Sequence, residues 1–336
     1  MKKIVLWFAL IAVLASGLLV GTGWWYARQP LKVVRGSAEF TVSRGMTMRQ
    51  AADVVWKAGV RADPRFLSTL ARLSGHAKQI KAGTYLVNSG ITPWQLILKL
   101  ETGDVARASV LLVEGWTFRQ VLATLEKHPD LEQDTKGLSE AEILARIGVK
   151  HKHAEGLFFP DTYIINKRDK VSSVLARAHR AMQRRLDAEW EGRVRDLPLK
   201  TPYDALILAS IVEKETGRDA ERTRVANVFI NRLRVGMRLQ TDPTVIYGMG
   251  EKYTGRIRKR DLETDTPWNT YTRAGLPPTP ISMPGLQSLR AVMHPEGGDM
   301  LYFVARGDGS SEFSRTLNEH NRAVNRYQRN KGTPKN

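Results

Sequence analysis

Between Lys3 and Arg28 the chain runs through residues 4–27 without one charged side chain. An apolar run of this length, wound as a helix, matches a hydrocarbon core of about 30 Å. Trp24, Trp25 and Tyr26 close the run, and such side chains favour a membrane–water interface. Secretory signal peptides have shorter apolar stretches and end at small residues. The aromatic end therefore favours a retained anchor. Lys2 and Lys3 ahead of the run predict an N-terminus inside the cell. The expected order begins with a cytoplasmic tail at 1–3, a transmembrane helix at 4–27 and a linker at 28–36. The rest of the chain is then expected outside the cytoplasm.

Composition narrows the chemistry. Lys and Arg number 52 against 34 Asp and Glu, a formal charge of +18, and cysteine is absent. Disulfides, thiolate metal sites and cysteine nucleophiles are thereby excluded. The charge predicts attraction to polyanions. An exported chain meets anionic lipid and acidic wall polymer rather than nucleic acid, and no nucleic-acid-binding motif is present.

Residues 37–103 read as a small module. Glu39-Phe40-Thr41-Val42 and Gly83-Thr84-Tyr85-Leu86-Val87 have strand character, with two helices between them. Asp63-Pro64 and Thr92-Pro93 are helix starts, a capping side chain followed by proline at the first helical position. This strand–helix–helix–strand order resembles LysM modules, which bind N-acetylglucosamine-containing glycans. It fits a packing domain without ligand equally well. Further on, 108–113 reads as a strand, 117–125 as a helix, 130–152 as polar helix and 171–195 as a basic amphipathic helix or pair of helices. A catalytic domain is expected over 104–330, with a disordered tail at 331–336.

The strongest chemical signal follows Thr201-Pro202-Tyr203-Asp204, a start with a cap, a proline and an acid in the first turn. Ala205 to Val212 is apolar throughout, so this helix is expected to be buried on all sides. Glu213-Lys214-Glu215-Thr216-Gly217 ends it, with Gly217 expected as the closing residue. Residues two apart on a helix point about 200° apart, so Glu213 and Glu215 are not expected to form one acid pair. Glu215 continues the Leu208, Ile211 and Val212 side, Glu213 the Leu206 and Ala209 side. Burial and the negative helix end both raise a carboxyl pKa, as protonation of a glycosidic oxygen requires. An ion pair with Lys214 or an arginine explains a glutamate at such a place equally well.

A second helix is expected over about 222–234. The polar cluster Gln240, Thr241 and Asp242 between apolar stretches suits the wall of a sugar cleft. Tyr247, Asn269 and Tyr271 add hydrogen-bonding groups and ring faces. Gly275-Leu276-Pro277-Pro278 reads as a stiff loop. His151 and His153 have no further ligand at a recognised spacing, so neither a metal nor another cofactor is expected.

Several stretches, in order, carry a family resemblance: Lys81-Ala82-Gly83-Thr84-Tyr85, Val113-Glu114-Gly115, Glu155-Gly156 with Phe159-Pro160-Asp161-Thr162, and Ile211-Val212-Glu213-Lys214-Glu215-Thr216. They continue through Leu239-Gln240-Thr241-Asp242-Pro243-Thr244, Asn269-Thr270-Tyr271 and Leu301-Tyr302-Phe303-Val304. By these the chain resembles the endolytic murein transglycosylase (YceG-like) family. The resemblance implies a mixed α+β catalytic domain behind a transmembrane helix and a LysM-like module. It implies a single-pass inner-membrane enzyme facing the periplasm. Such an enzyme cleaves the β-1,4 bond between N-acetylmuramic acid and N-acetylglucosamine in nascent peptidoglycan and leaves 1,6-anhydro ends. The second glutamate of the E-K-E motif, Glu215, is the implied catalytic residue. Glu213, Gln240, Asp242, Tyr247, Asn269 and Tyr271 are candidates for substrate binding. Association with peptidoglycan synthases is implied as well. Two other readings stay open: a muramidase with Asp242 as second carboxyl, and a non-catalytic membrane-tethered wall-binding scaffold.

Overall fold

The computed structural model describes residues 2–329 and divides into two compact units: Met1–Ala108 with Ile164–Asp169, and Ser109–Tyr163 with Lys170–Asn336. The tail expected at 331–336 lies outside the described residues, as does Met1.

The first unit opens with helix α1, Lys2–Arg28. Among the described residues no helix is long and apolar enough to cross a membrane. Then come β1 (Ser37–Val42), α2 (Met48–Lys57), α3 (Pro64–Leu73), β2 (Gly83–Asn88) and α4 (Pro93–Thr102). Strand β1 pairs antiparallel with β2, from Ser37 opposite Asn88 to Val42 opposite Gly83. Alternation along β1 turns Ala38, Phe40 and Val42 inward. There they meet Ala51, Val55, Leu67, Tyr85, Leu96 and Leu100 in one core. Thr47 and Thr92 cap α2 and α4 with reciprocal Gln bonds, and Asp63 caps α3 ahead of Pro64. The stretch 28–36, expected as a linker, is drawn into this core. Leu31 and Val33 are buried, and Leu31 N–H donates to Ile91 O at 2.8 Å. The reason is apolar: a free linker would leave both side chains in water, at about 1.5–3 kcal/mol each.

The remaining elements, in chain order, are β3 (Arg107–Leu111), α5 (Phe118–Glu126), β4 (Leu131–Glu132), α6 (Glu140–Arg146), β5 (Thr162–Asn166), β6 (Asp169–Lys170) and α7 (Val171–Glu191). They continue with α8 (Pro202–Glu215), α9 (Asp219–Arg234), α10 (Asp242–Met249), α11 (Lys259–Glu263), α12 (Leu286–Met293), β7 (Tyr302–Ala305), β8 (Ser311–Ser314) and α13 (Leu317–Val324). The content is mixed α+β, with every sheet two-stranded. Residues 164–169 join the first unit because Lys167 N–H reaches Ala106 O and the Lys167 ammonium pairs with Glu39. The stretch 130–152, expected as one helix, holds only β4 and α6. Gly137 and Gly148 stand at φ 79° and 75°, outside the helical region, on either side of the Ser139 cap and α6.

Helix α8 is the centre of the second unit. Ala205 to Val212 are all buried, and α7, α9, α10 and α12 pack around it. Thr201 and Asp204 form its capping box. It ends differently from expectation. Thr216 is extended, at φ −141° and ψ 130°, so the chain leaves the helix without a left-handed glycine. Ser210 at the helix middle bonds the proline-rich loop: Ile281 N–H donates to Ser210 Oγ at 2.9 Å, and Ser282 Oγ donates to Ser210 O at 3.1 Å. The buried helix thus positions both its own acidic end and the loop beside it.

Candidate active site

The end of α8 sends its two glutamates into separate surroundings, as their angular spacing requires. Glu215 lies part-buried and accepts a hydrogen bond at Oε1 from the Thr241 hydroxyl. Its pKa is raised. Burial is the main cause, and the Asp242 charge adds to it, against lowering by the Thr241 bond and by Arg232. The carboxyl borders a cavity of about 590 Å³, shared with Arg232, Gln240, Asp242, Tyr271, Tyr302 and His320.

Each wall of this cavity has a local reason. Asp242 and Pro243 open α10, and proline suits that first turn. Thr241, just before it, is held by its own N–H on Thr270 Oγ1 at 3.1 Å, which aims its hydroxyl at Glu215. Tyr271 donates to Asp242 Oδ1 at 2.6 Å, and burial first, then this bond, raise the phenol pKa. Arg232 on α9 is buried. It donates to Leu301 O at 2.7 Å and Leu239 O at 2.5 Å, tying β7's approach to the segment before α10. Gln240 stands at φ 48°. A non-glycine residue in this region costs of order 1 kcal/mol and is held there by its surroundings.

Glu213 does not face that cavity. It accepts from Gly285 N–H at 2.9 Å and Ser288 Oγ at 2.7 Å, and pairs with Arg222 at 3.5 Å, both side chains being under 10% exposed. Glu114, from the Val113-Glu114-Gly115 stretch, adds a second carboxyl there. Its pKa is raised by burial and then by the Glu213 charge. A Cβ at position 285 would overlap the Glu114 carboxyl, which explains the glycine. Asn269 is also enclosed. Its amide donates to Leu262 O at 3.0 Å and Thr264 O at 2.7 Å, and its carbonyl accepts from Tyr271 N–H at 2.8 Å. It shapes the loop that carries Tyr271.

Tyr247 lies elsewhere again. Its hydroxyl donates to Glu155 Oε2 at 3.1 Å, while Phe118 N–H donates to Oε1 at 3.0 Å. Glu155 is only 6% exposed, and burial pushes its pKa up to about 7. Gly156 beside it is obligatory: φ is 78°, and a Cβ would stand 2.5 Å from the Pro280 ring. With a folded value above the ordinary 4.5, the Glu155 contribution to stability is complete below pH 4.5 and is lost as pH rises through about 7. The shift corresponds to about 3 kcal/mol. Denaturant titrations at pH 4.5 and 8 are expected to show that fall, and Glu155→Gln to flatten it. An equal fall in both proteins would remove Glu155 as its source.

Of the seven residues expected at one cleft, the structure brings Glu215, Gln240, Asp242 and Tyr271 to one cavity and leaves Glu213, Tyr247 and Asn269 outside it. Sequence reasoning assigned no role to Arg232 or His320, which reach the cavity from α9 and α13. Thr241 was legible only as part of a polar cluster. Among the described residues no group of three metal-capable side chains assembles. The arrangement offers one carboxyl whose pKa burial raises, a hydroxyl that orients it, and polar and aromatic walls. That is equipment for delivering a proton to an ether oxygen in a bound polar ligand.

Known proteins bear on this geometry. A model of the YceG-like family matches residues 40–326. An endolytic murein transglycosylase of Bacillus subtilis (strain 168) is 30% identical over 331 residues, covering 92% of this chain and 91% of that protein. One from Streptococcus pneumoniae serotype 2 is 26% identical over 316 residues, covering 84% of this chain and 57% of that protein. The crystal structure of a YceG-like protein from Listeria monocytogenes aligns with a TM-score of 0.54 at 28% identity, over 86% of this chain and 99% of that one. From β1 to beyond α13, this chain belongs to the YceG-like family.

Proposed function

We propose that the chain is an endolytic murein transglycosylase, a lyase that cuts peptidoglycan strands internally between N-acetylmuramic acid and N-acetylglucosamine. The observation that carries this reading is Glu215: a carboxyl of raised pKa, oriented by Thr241, on the wall of a polar and aromatic cavity. Family membership and the name shared by its relatives support it.

In this reading Glu215 gives its proton to the glycosidic oxygen, and the C1–O bond breaks with that oxygen leaving as a hydroxyl. The positive charge that develops at C1 faces the carboxylate just formed. Glu215 then takes the proton from the C6 hydroxyl of the same muramoyl ring, and O6 closes onto C1. The product is a 1,6-anhydro end, no water is consumed, and Glu215 is protonated again. Asp242 assists from a distance, because its charge raises the Glu215 pKa. Gln240 and Tyr271 line the path of the sugar.

The cellular setting is part of the proposal and rests on sequence. Residues 4–27 anchor the chain in the inner membrane, Lys2 and Lys3 keep the N-terminus inside, and the catalytic unit works in the periplasm. The cuts limit strand elongation, and synthases that make the strands are the partners.

Mass spectrometry of strands digested by the protein and by Glu215→Gln tests the reaction. Anhydro-ended fragments from the first and none from the second are expected. Ends heavier by one water would instead favour the two-carboxyl muramidase, for which Asp242 on the same cavity is the available second acid. Intact strands, under conditions where a known transglycosylase cuts them, would leave the scaffold.

A further inference from the structure

A second cavity, of about 820 Å³, opens beside the first within the same unit. The two share no lining residue, yet they meet along the chain twice. Lys214 borders the second cavity and Glu215 the first. Asp242 borders the first and Pro243 the second. The end of α8 and the start of α10 are therefore a common ridge with a cavity on either side.

The second cavity combines apolar and aromatic side chains with polar ones, among them Arg119, Gln120, Glu140, Glu155 and Lys214. Tyr247 and Trp268 form an edge-to-face pair with centroids 5.4 Å apart. Both rings are held by hydrogen bonds at their polar ends. Tyr247 is tied to buried Glu155, and Trp268 Nε1 donates to Thr279 Oγ1 at 2.9 Å. Such anchoring fixes the orientation of both rings on the cavity wall. Lys214 is exposed and its ammonium makes one long bond, 3.3 Å, to Gly115 O. A cation is thus at hand beside an aromatic wall.

We propose that this second cavity is a sugar subsite for the uncut strand. It holds an N-acetylated hexosamine adjoining the one at Glu215, with its apolar ring face on the Tyr247–Trp268 pair and its acidic substituents toward Lys214. The proposal rests on the transglycosylase reading. An enzyme that cuts inside a polymer must grip it on both sides of the broken bond, and one cavity at Glu215 supplies one side. Remote sugars bound here contribute affinity before any bond changes, so their loss appears in KM rather than kcat.

The test uses the full chain carrying Glu215→Gln, which blocks turnover, and fluorescently labelled glycan strands. Adding Trp268→Ala, or Leu122→Trp to fill the cavity from α5, is expected to weaken strand binding tenfold or more. Trp268→Phe, which keeps a ring face, is expected to recover most of it. With Glu215 restored, each of the two damaging changes is expected to raise KM while kcat stays within about twofold. Leu122→Trp removes no packed atoms, so it decides the matter if Trp268→Ala fails to fold. Strand binding left unchanged by Leu122→Trp, or a fall in kcat at constant KM, overturns the subsite alone. Absence of strand binding by the Glu215→Gln protein itself overturns the transglycosylase reading and the subsite with it.

Discussion

Glu215→Gln is expected to lower the rate of strand cleavage by about 10²–10⁴-fold, the usual worth of a positioned general acid–base group. Glutamine keeps the shape and offers an oxygen to the Thr241 hydroxyl, so the fold should persist. It carries no proton to give, and both halves of the reaction lose their agent. The raised pKa sets the sign of the pH response. Cleavage by the native protein falls as pH climbs through the Glu215 pKa, because the acid form is then lost. Folding stability follows the same direction, since the protonated carboxyl is the form that burial favours. Glu215→Gln should therefore be no less stable than the native protein at neutral pH. Initial rates of anhydro-end release, read beside thermal melts, check both statements. A variant that retains more than a tenth of native activity would move the acid elsewhere.

Arg222→Met should cost the second unit about 3–5 kcal/mol, the price of leaving one partner of a buried ion pair alone. The guanidinium lies 3.5 Å from Glu213 and 2.5 Å from Asp219, with its side chain 8% exposed. Without it, the Glu213 carboxylate, its side chain 7% exposed, is left buried with no arginine beside it. Glu114 already responds to its neighbour's charge. Adding Glu213→Gln to Arg222→Met is expected to return part of the loss, because the buried Glu213 charge is then gone as well. Denaturant unfolding of the single and double variants measures this. A loss below about 1 kcal/mol for Arg222→Met would place the pair among weakly coupled surface contacts.

Helix starts were the most legible part of the fold. Thr92, Thr117 and Thr201 each precede a Gln or Asp by three residues and cap a helix with it, and Thr47, not singled out in the sequence, does the same. The all-apolar run before the E-K-E motif was legible as a buried helix for the same local reason. Chain ends of helices were less so. Gly217 had the right residue type, but Thr216 turns the chain into extended backbone first. Between 130 and 152, polarity concealed two left-handed glycines that interrupt the helical reading. At the site, the divergence of Glu213 from Glu215 followed from helix geometry alone. Residue type did not reveal that Asn269 and Glu213 would turn to backbone and arginine partners. Nor did it reveal that Tyr247, five positions after Asp242 on α10, would face another cavity. Arg232 and His320 converge on Glu215 from distant parts of the chain, and only tertiary packing shows that.

The passage from α1 into the first module is short. Gln29 and Pro30 alone separate Arg28, the end of α1, from buried Leu31. Proline has a restricted φ, and Leu31 is pinned to Ile91 O. A tilt or pull applied to α1 therefore reaches the core of the first module, at Leu31, through a joint of two residues.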